Sequence, residues 1–165
     1  MAYDLDGLNI LLVDDEKSMR MLVRDVLLAF GFENVRMAPD APSAYRMLDD
    51  FLADIVILDW QMAPMNGLDL LRQIRTAEDS PDPYVPVIML TAHTELNRVI
   101  ECRLAGATSV LAKPIAPRTL YRRIERIVED GYITRSSIYF LPEAAKSGTA
   151  AGKSKKQHPA LRQMR

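Results

Sequence analysis

Four short apolar runs in this chain each end on a different reactive side chain. Residues 8–13 lead into Asp14 and Asp15, residues 55–58 into Asp59, residues 85–90 into Thr91, and residues 110–112 into Lys113. Three carboxylates, a hydroxyl and an ammonium are the groups that hold a divalent cation and a phosphoryl group. Hard cations take carboxylate oxygens, and a lysine ammonium is a compact charge for phosphate oxygens. Carboxylates about 6 Å apart repel by about 3 kcal/mol per pair at an effective dielectric of about 20, so such a cluster calls for a dication.

The elements that must position these residues show in the alternation of apolar runs with amphipathic stretches from residue 8 to about residue 130. The run 8–13 is apolar but for Asn9, as in a parallel strand buried on both faces. Residues 17–30 carry Met19, Leu22, Val23, Val26, Leu27 and Phe30 at helical spacing, and Gly31 ends them. A weaker strand over 33–38 leads to Asp40, an N-cap for a helix through Leu52 with Ala44, Tyr45 and Leu48 inward. Strand 54–59 precedes helix 67–76 and a proline-bearing loop over 77–85. Strand 86–91, helix 94–105, strand 108–112 and helix 117–130 follow, with Pro117 in the first turn of the last helix. Five such units predict an α/β, doubly wound, five-stranded parallel sheet of order 2-1-3-4-5 with helices on both faces. Strands one and three then meet at the switch point, and the reactive endings share one edge.

Composition bounds the rest. The chain has 165 residues, 48% of them apolar, which suits one domain with an appendage. No apolar run approaches the length of a membrane-spanning helix. The acidic start, with Asp4 and Asp6, is unlike a secretory signal, and a lone Cys102 permits no internal disulfide. A cytoplasmic protein is expected, with Cys102 a packing residue. The expected division is a domain over 1–131, an apolar extension over 132–141 that docks on the body or on a partner, and a basic tail over 142–165 without fixed structure. That tail holds six basic residues and one acid, against an acidic body. It lacks aromatics for stacking, so no specific nucleic-acid binding is expected.

Together the acidic pair Asp14-Asp15, the isolated Asp59, Thr91 with Ala92, and Lys113-Pro114 resemble the receiver domain of bacterial two-component response regulators, of the single-domain chemotaxis-regulator type. The segment Met62, Met65, Asn66 and Gly67 is similar to that family's loop after the acceptor aspartate. The resemblance spans roughly residues 8–130 and implies a flavodoxin-like sheet and a phosphoacceptor signalling switch. On it, Asp59 is the nucleophile that becomes an acyl phosphate. Lys113 supplies positive charge, and Thr91 a hydroxyl, to the phosphate oxygens. Asp15 is assigned as a direct ligand of Mg²⁺ or Mn²⁺, with Asp14 beside it. The resemblance further implies that Asp59 and the backbone carbonyl of Gln61 complete the protein's contribution, and that the Lys113–Pro114 peptide is cis. The chain would be no enzyme beyond self-catalysed phosphotransfer and autodephosphorylation.

Three positions depart from the family pattern. Val110, a stiff β-branched residue, stands where an aromatic rotor usually couples to the threonine, so it marks an altered output switch position. Ala63 replaces the usual proline, and Pro64 follows it. His93, two residues after Thr91, overhangs the acceptor and, with Gln61, can set the lifetime of the phosphate. The expected partners are a sensor histidine kinase or histidine phosphotransfer protein and a downstream protein that meets helix 94–105, strand 108–112 and helix 117–130. Arg118, Arg122, Arg123 and Arg126 line the outer side of that last helix, which also suits a homodimer. Two alternatives stand beside this reading: a phosphorylation-independent adaptor and a haloacid-dehalogenase-like phosphatase. The latter needs a second acid where Gln61 stands.

Overall fold

The structure, a computed structural model, describes Leu5 and residues 7–133; the expectations for the apolar run 138–141 and for the basic tail lie outside the described residues. Ten elements alternate along the chain: β1 (Asn9–Val13), α1 (Lys17–Ala29), β2 (Asn34–Ala38), α2 (Ala41–Phe51), β3 (Ile55–Asp59), α3 (Gly67–Thr76), β4 (Val87–Thr91), α4 (Leu96–Leu104), β5 (Ser109–Ala112) and α5 (Pro117–Glu129). The strands form one parallel sheet in the order β2-β1-β3-β4-β5, as the sequence predicts.

The apolar runs become central strands because both faces of the sheet are covered. Every residue of β3 and β4 is buried. On one face Leu11, Val13, Val56, Leu58 and Met89 pack against Leu48, Leu71, Ile74 and Cys102 of α2, α3 and α4. On the other, Leu12, Ile57, Ile88 and Leu90 pack against Val23, Leu27, Leu120 and Ile124 of α1 and α5, and Ile133 closes this cluster.

Boundaries differ from expectation mainly at α4. The helix starts at Leu96 rather than Thr94, because Glu95 keeps an extended backbone with ψ 138° and offers no side-chain cap. Helix α5 ends at Glu129 and β5 begins at Ser109, each one residue inside the expected span. The Asp40 cap forms as read: its carboxylate accepts the Ser43 N–H at 2.7 Å. Leu22, despite its helical spacing, is 59% exposed. No helix among the described residues is long and apolar enough to cross a membrane.

Candidate functional site

Register brings the reactive endings into one row. Val13 pairs with Leu58, Asp59 with Leu90, and Thr91 with Ala112. Asp14 and Lys113 follow β1 and β5 directly, and the Lys113 N–H continues the ladder by donating to the Thr91 carbonyl at 2.8 Å. One carboxylate oxygen from each of Asp14, Asp15 and Asp59 lies within 4.8 Å of the others. Asp14, Asp59 and Thr91 are buried, whereas Asp15 is exposed. Three hard oxygens converging at this spacing, with two of the acids shut from water, fit the ligand set of a divalent cation.

The nearest positive charge is Lys113. Its Nζ lies 2.7 Å from Asp59 Oδ1 and 3.5 Å from Asp14 Oδ2. Burial pushes the Asp59 carboxyl above the usual carboxylate range; Asp14 and Asp15 add to that, and Lys113 holds back only part of it. For Lys113 burial acts against the charge, but the hydrogen bond to Asp59 and the charges of Asp59 and Asp14 outweigh it, and the net shift is upward. The pair thus favours its ammonium and disfavours its carboxylate. Burial sets the direction for Asp59, with Asp14 and Asp15 adding to it, whereas for Lys113 the two facing acids overcome burial.

The surroundings hold the acids in place. Asp14 Oδ1 accepts the Glu16 N–H at 2.8 Å, and the Arg20 guanidinium donates to the Asp14 carbonyl at 2.7 Å. The Ala63 N–H donates to Asp15 Oδ2 at 3.3 Å, tying the loop after β3 to the acidic pair. Both Ala63–Pro64 and Lys113–Pro114 are cis. Asn66 starts α3 by accepting the Asp69 N–H at 2.9 Å. Gly67 sits so close behind Asp59 that a Cβ there would lie 2.0 Å from the Asp59 carbonyl oxygen.

Thr91 Oγ1 is engaged by its own loop: it donates to the His93 carbonyl at 3.2 Å and accepts the His93 N–H at 2.9 Å. The side chains of Gln61 and His93 meet through Nε2 atoms 2.9 Å apart, at the mouth of the site. Val110 is half-buried against the α2–α4 side of the core.

Three contributors escape a sequence reading. Trp60, directly after Asp59, is buried and carries the Arg98 guanidinium of α4 5.4 Å from its ring centroid. Arg75 bonds the Gly106 carbonyl twice, at 3.1 and 2.9 Å, and the Pro83 carbonyl at 3.0 Å. Gly67 is read in the sequence as the start of helix 67–76, but the close approach to Asp59 that requires a glycine shows only in the structure. The only available signal was the pairing of unlike types, cation with aromatic or glycine with helix start, and neither spacing predicts the contact.

A parallel sheet of this order, with acids, a threonine and a lysine on its carboxyl edge, defines a phosphoacceptor receiver. The family model described as response regulator receiver domain matches residues 10–125, and the chain belongs to that family. It is 37% identical over 123 residues to chemotaxis protein CheY-3 of Vibrio cholerae serotype O1, covering 74% of this chain and 93% of that protein. The crystal structure of Vibrio cholerae CheY4 at low pH superposes with a TM-score of 0.67 at 32% identity, covering 73% of this chain and 98% of that one. The CheX–CheY–BeF3–Mg complex of Borrelia burgdorferi gives a TM-score of 0.66 at 25% identity, covering 73% and 89% of the two chains. The protein is a chemotaxis-type receiver, a phosphoacceptor signalling switch rather than a classical enzyme.

Proposed function

We propose that Asp59 accepts the phosphoryl group and that Asp14, Asp15, Asp59 and the Gln61 backbone carbonyl hold Mg²⁺ or Mn²⁺. The observation that supports this reading above all is the 2.7 Å contact of Lys113 with Asp59 inside the acidic cluster. The dication, when bound, offsets the negative charge that donor and acceptor share. An Asp59 carboxylate oxygen attacks phosphorus while the bond to the donor nitrogen or oxygen breaks, and the donor leaves with that electron pair. Lys113 then stands against the phosphoryl oxygens, and Thr91 exchanges the His93 carbonyl for them. Phosphoryl transfer rests on such positioning and charge stabilisation.

The hydrogen-bonded Gln61–His93 pair governs the access of water to the acyl phosphate, and so its lifetime. A sensor histidine kinase or histidine phosphotransfer protein is the donor, in the cytoplasm. A downstream protein is met through α4, β5 and α5, where Leu96, Ile100 and Leu104 are exposed. The receiver occupies 1–131, with the extension 132–141 and the tail 142–165 as appendages.

Incubation with a small acyl phosphate and Mg²⁺ tests this reading. The native chain takes one acid-stable, hydroxylamine-labile label and Asp59→Asn takes none; equal labelling of that variant overturns the assignment. His93→Ala changes the decay rate of the label, and an unchanged rate would make His93 a bystander.

A further inference from the structure

Trp60 is a platform fixed on both sides. Its N–H donates to the Leu90 carbonyl of β4 at 2.9 Å, and its carbonyl accepts the Gly67 N–H of α3 at 2.8 Å. The residue is 7% exposed and belongs to the core. Helix α4, by contrast, is lightly held: Cys102 is its only buried residue, and Glu95 gives no cap. Two links join α4 to the site. Residues 92–95 tie its start to Thr91, whose hydroxyl is bonded to His93. One turn further on, Arg98 lies over the Trp60 ring. From Arg98 the chain of contacts runs on to Glu101 at 3.5 Å, and from Glu101 to Arg72 at 3.5 Å. Those last two residues line a groove of about 400 Å³ between α3 and α4, with Ile100 and Leu104.

We propose that Arg98, seated on Trp60, is a positioning residue that holds α4 in its unphosphorylated setting and is the contact through which α4 reads the state of Asp59. This rests on Asp59 being the acceptor. When Thr91 leaves His93 for the phosphoryl group, the loop 92–95 shifts, and Arg98 slides on or off a ring that cannot follow. The aromatic partner that Val110 does not supply from β5 is supplied by Trp60, directly after β3. Coupling is reciprocal, so whatever Arg98 contributes to the resting form opposes the phosphorylated one. A partly exposed cation–π contact corresponds to about two- to fivefold in an equilibrium constant.

Beryllofluoride with Mg²⁺, an acyl-phosphate mimic, provides the test in the full chain. Binding is followed by the fluorine resonance of the bound species, and α4 by the emission of Trp60, the only tryptophan. Arg98→Gln binds beryllofluoride about two- to fivefold more tightly than the native chain and loses most of the emission change. Arg98→Lys keeps part of both. Glu101→Gln, which removes the ion pairs and leaves the stack, behaves as native. Native affinity and emission change in Arg98→Gln would overturn the proposal, and so would the Arg98→Gln phenotype appearing in Glu101→Gln. Absence of any bound fluorine signal in the native chain would instead remove the Asp59 reading on which the proposal stands.

Discussion

Lys113 Nζ and Asp59 Oδ1 are 2.7 Å apart, from residues at the ends of β5 and β3 with β4 between them. Their contact spans the middle of the sheet edge. Because the folded-state value of Lys113 lies above its ordinary one, this pairing contributes stability that is complete below the ordinary lysine range and is lost as pH rises through the raised value. Lys113→Met is therefore expected to be less stable than the native chain at neutral pH, with the gap closing as pH rises through the raised lysine value, as followed by urea unfolding and circular dichroism at a series of pH values.

Asp59 carries the opposite sign. A carboxyl raised by burial costs the fold stability once pH exceeds the unfolded value, and that cost grows until pH passes the folded one. Asp59→Asn, measured in chelator at neutral pH, is expected to melt at a higher temperature than the native chain. The difference vanishes in acid, where both forms are neutral. Adding Mg²⁺ raises the melting temperature of the native chain and much less that of the variant, which separates the metal's contribution from that of the side chain.

Gly67→Ala should be among the most damaging single methyl additions. The new Cβ would meet the Asp59 carbonyl oxygen at 2.0 Å and the Asp59 carbonyl carbon at 2.9 Å, both backbone. Either α3 withdraws or the acceptor moves. A loss of about 3 kcal/mol in urea unfolding, with slower acyl-phosphate labelling below the melt, is expected. Unchanged labelling in a destabilised variant would show that α3 alone gives way.

Arg75→Met removes a half-buried fork from the Gly106 and Pro83 carbonyls. The Gly106 and Pro83 carbonyls lose their donor, and a cost of about 2–4 kcal/mol follows. Arg75→Lys recovers only part, since one ammonium cannot match the planar fork. Burial lowers the Arg75 guanidinium to about 10, which still leaves it charged at neutral pH.

Cys102 is fully buried, and burial pushes its thiol up to about 11. A thiol reagent at mild pH should therefore react only as fast as the protein opens. Labelling in denaturant restores the full rate, and fast labelling of the native chain would show that α4 lifts off the sheet.

The sheet and its edge were legible because the central strands are buried on both faces, as the runs 55–58 and 85–90 show. Asp14, Asp15, Asp59, Thr91 and Lys113 could be read because each follows such a run directly. The Asp40 cap was legible from a local rule. The start of α4 was not, since Thr94 and Glu95 look able to begin a helix, and what excludes them is the extended backbone of Glu95. Leu22 misleads for another reason: helical spacing gives a face, not what covers it. Arg98 on Trp60 and Arg75 on Gly106 join residues 38 and 31 positions apart, separations that no periodicity encodes.

The two hydrogen bonds that Arg75 donates to the Gly106 carbonyl also fix one end of α4. Gly106 takes φ 103° where a side chain would strike Arg75, and its N–H donates to the Arg103 carbonyl at 3.0 Å, so the far turn of the helix is bolted to α3. The near turn, at Leu96, has no such bolt. In the proposed switch, helix α4 would act as a lever with its fulcrum at Gly106, its displacement growing toward Leu96. Over nine residues, about 13 Å, a tilt of about 5° carries the free tip by about 1 Å. The apolar row Leu96–Ile100–Leu104 is swung rather than shifted, so a partner would feel the change chiefly at Leu96.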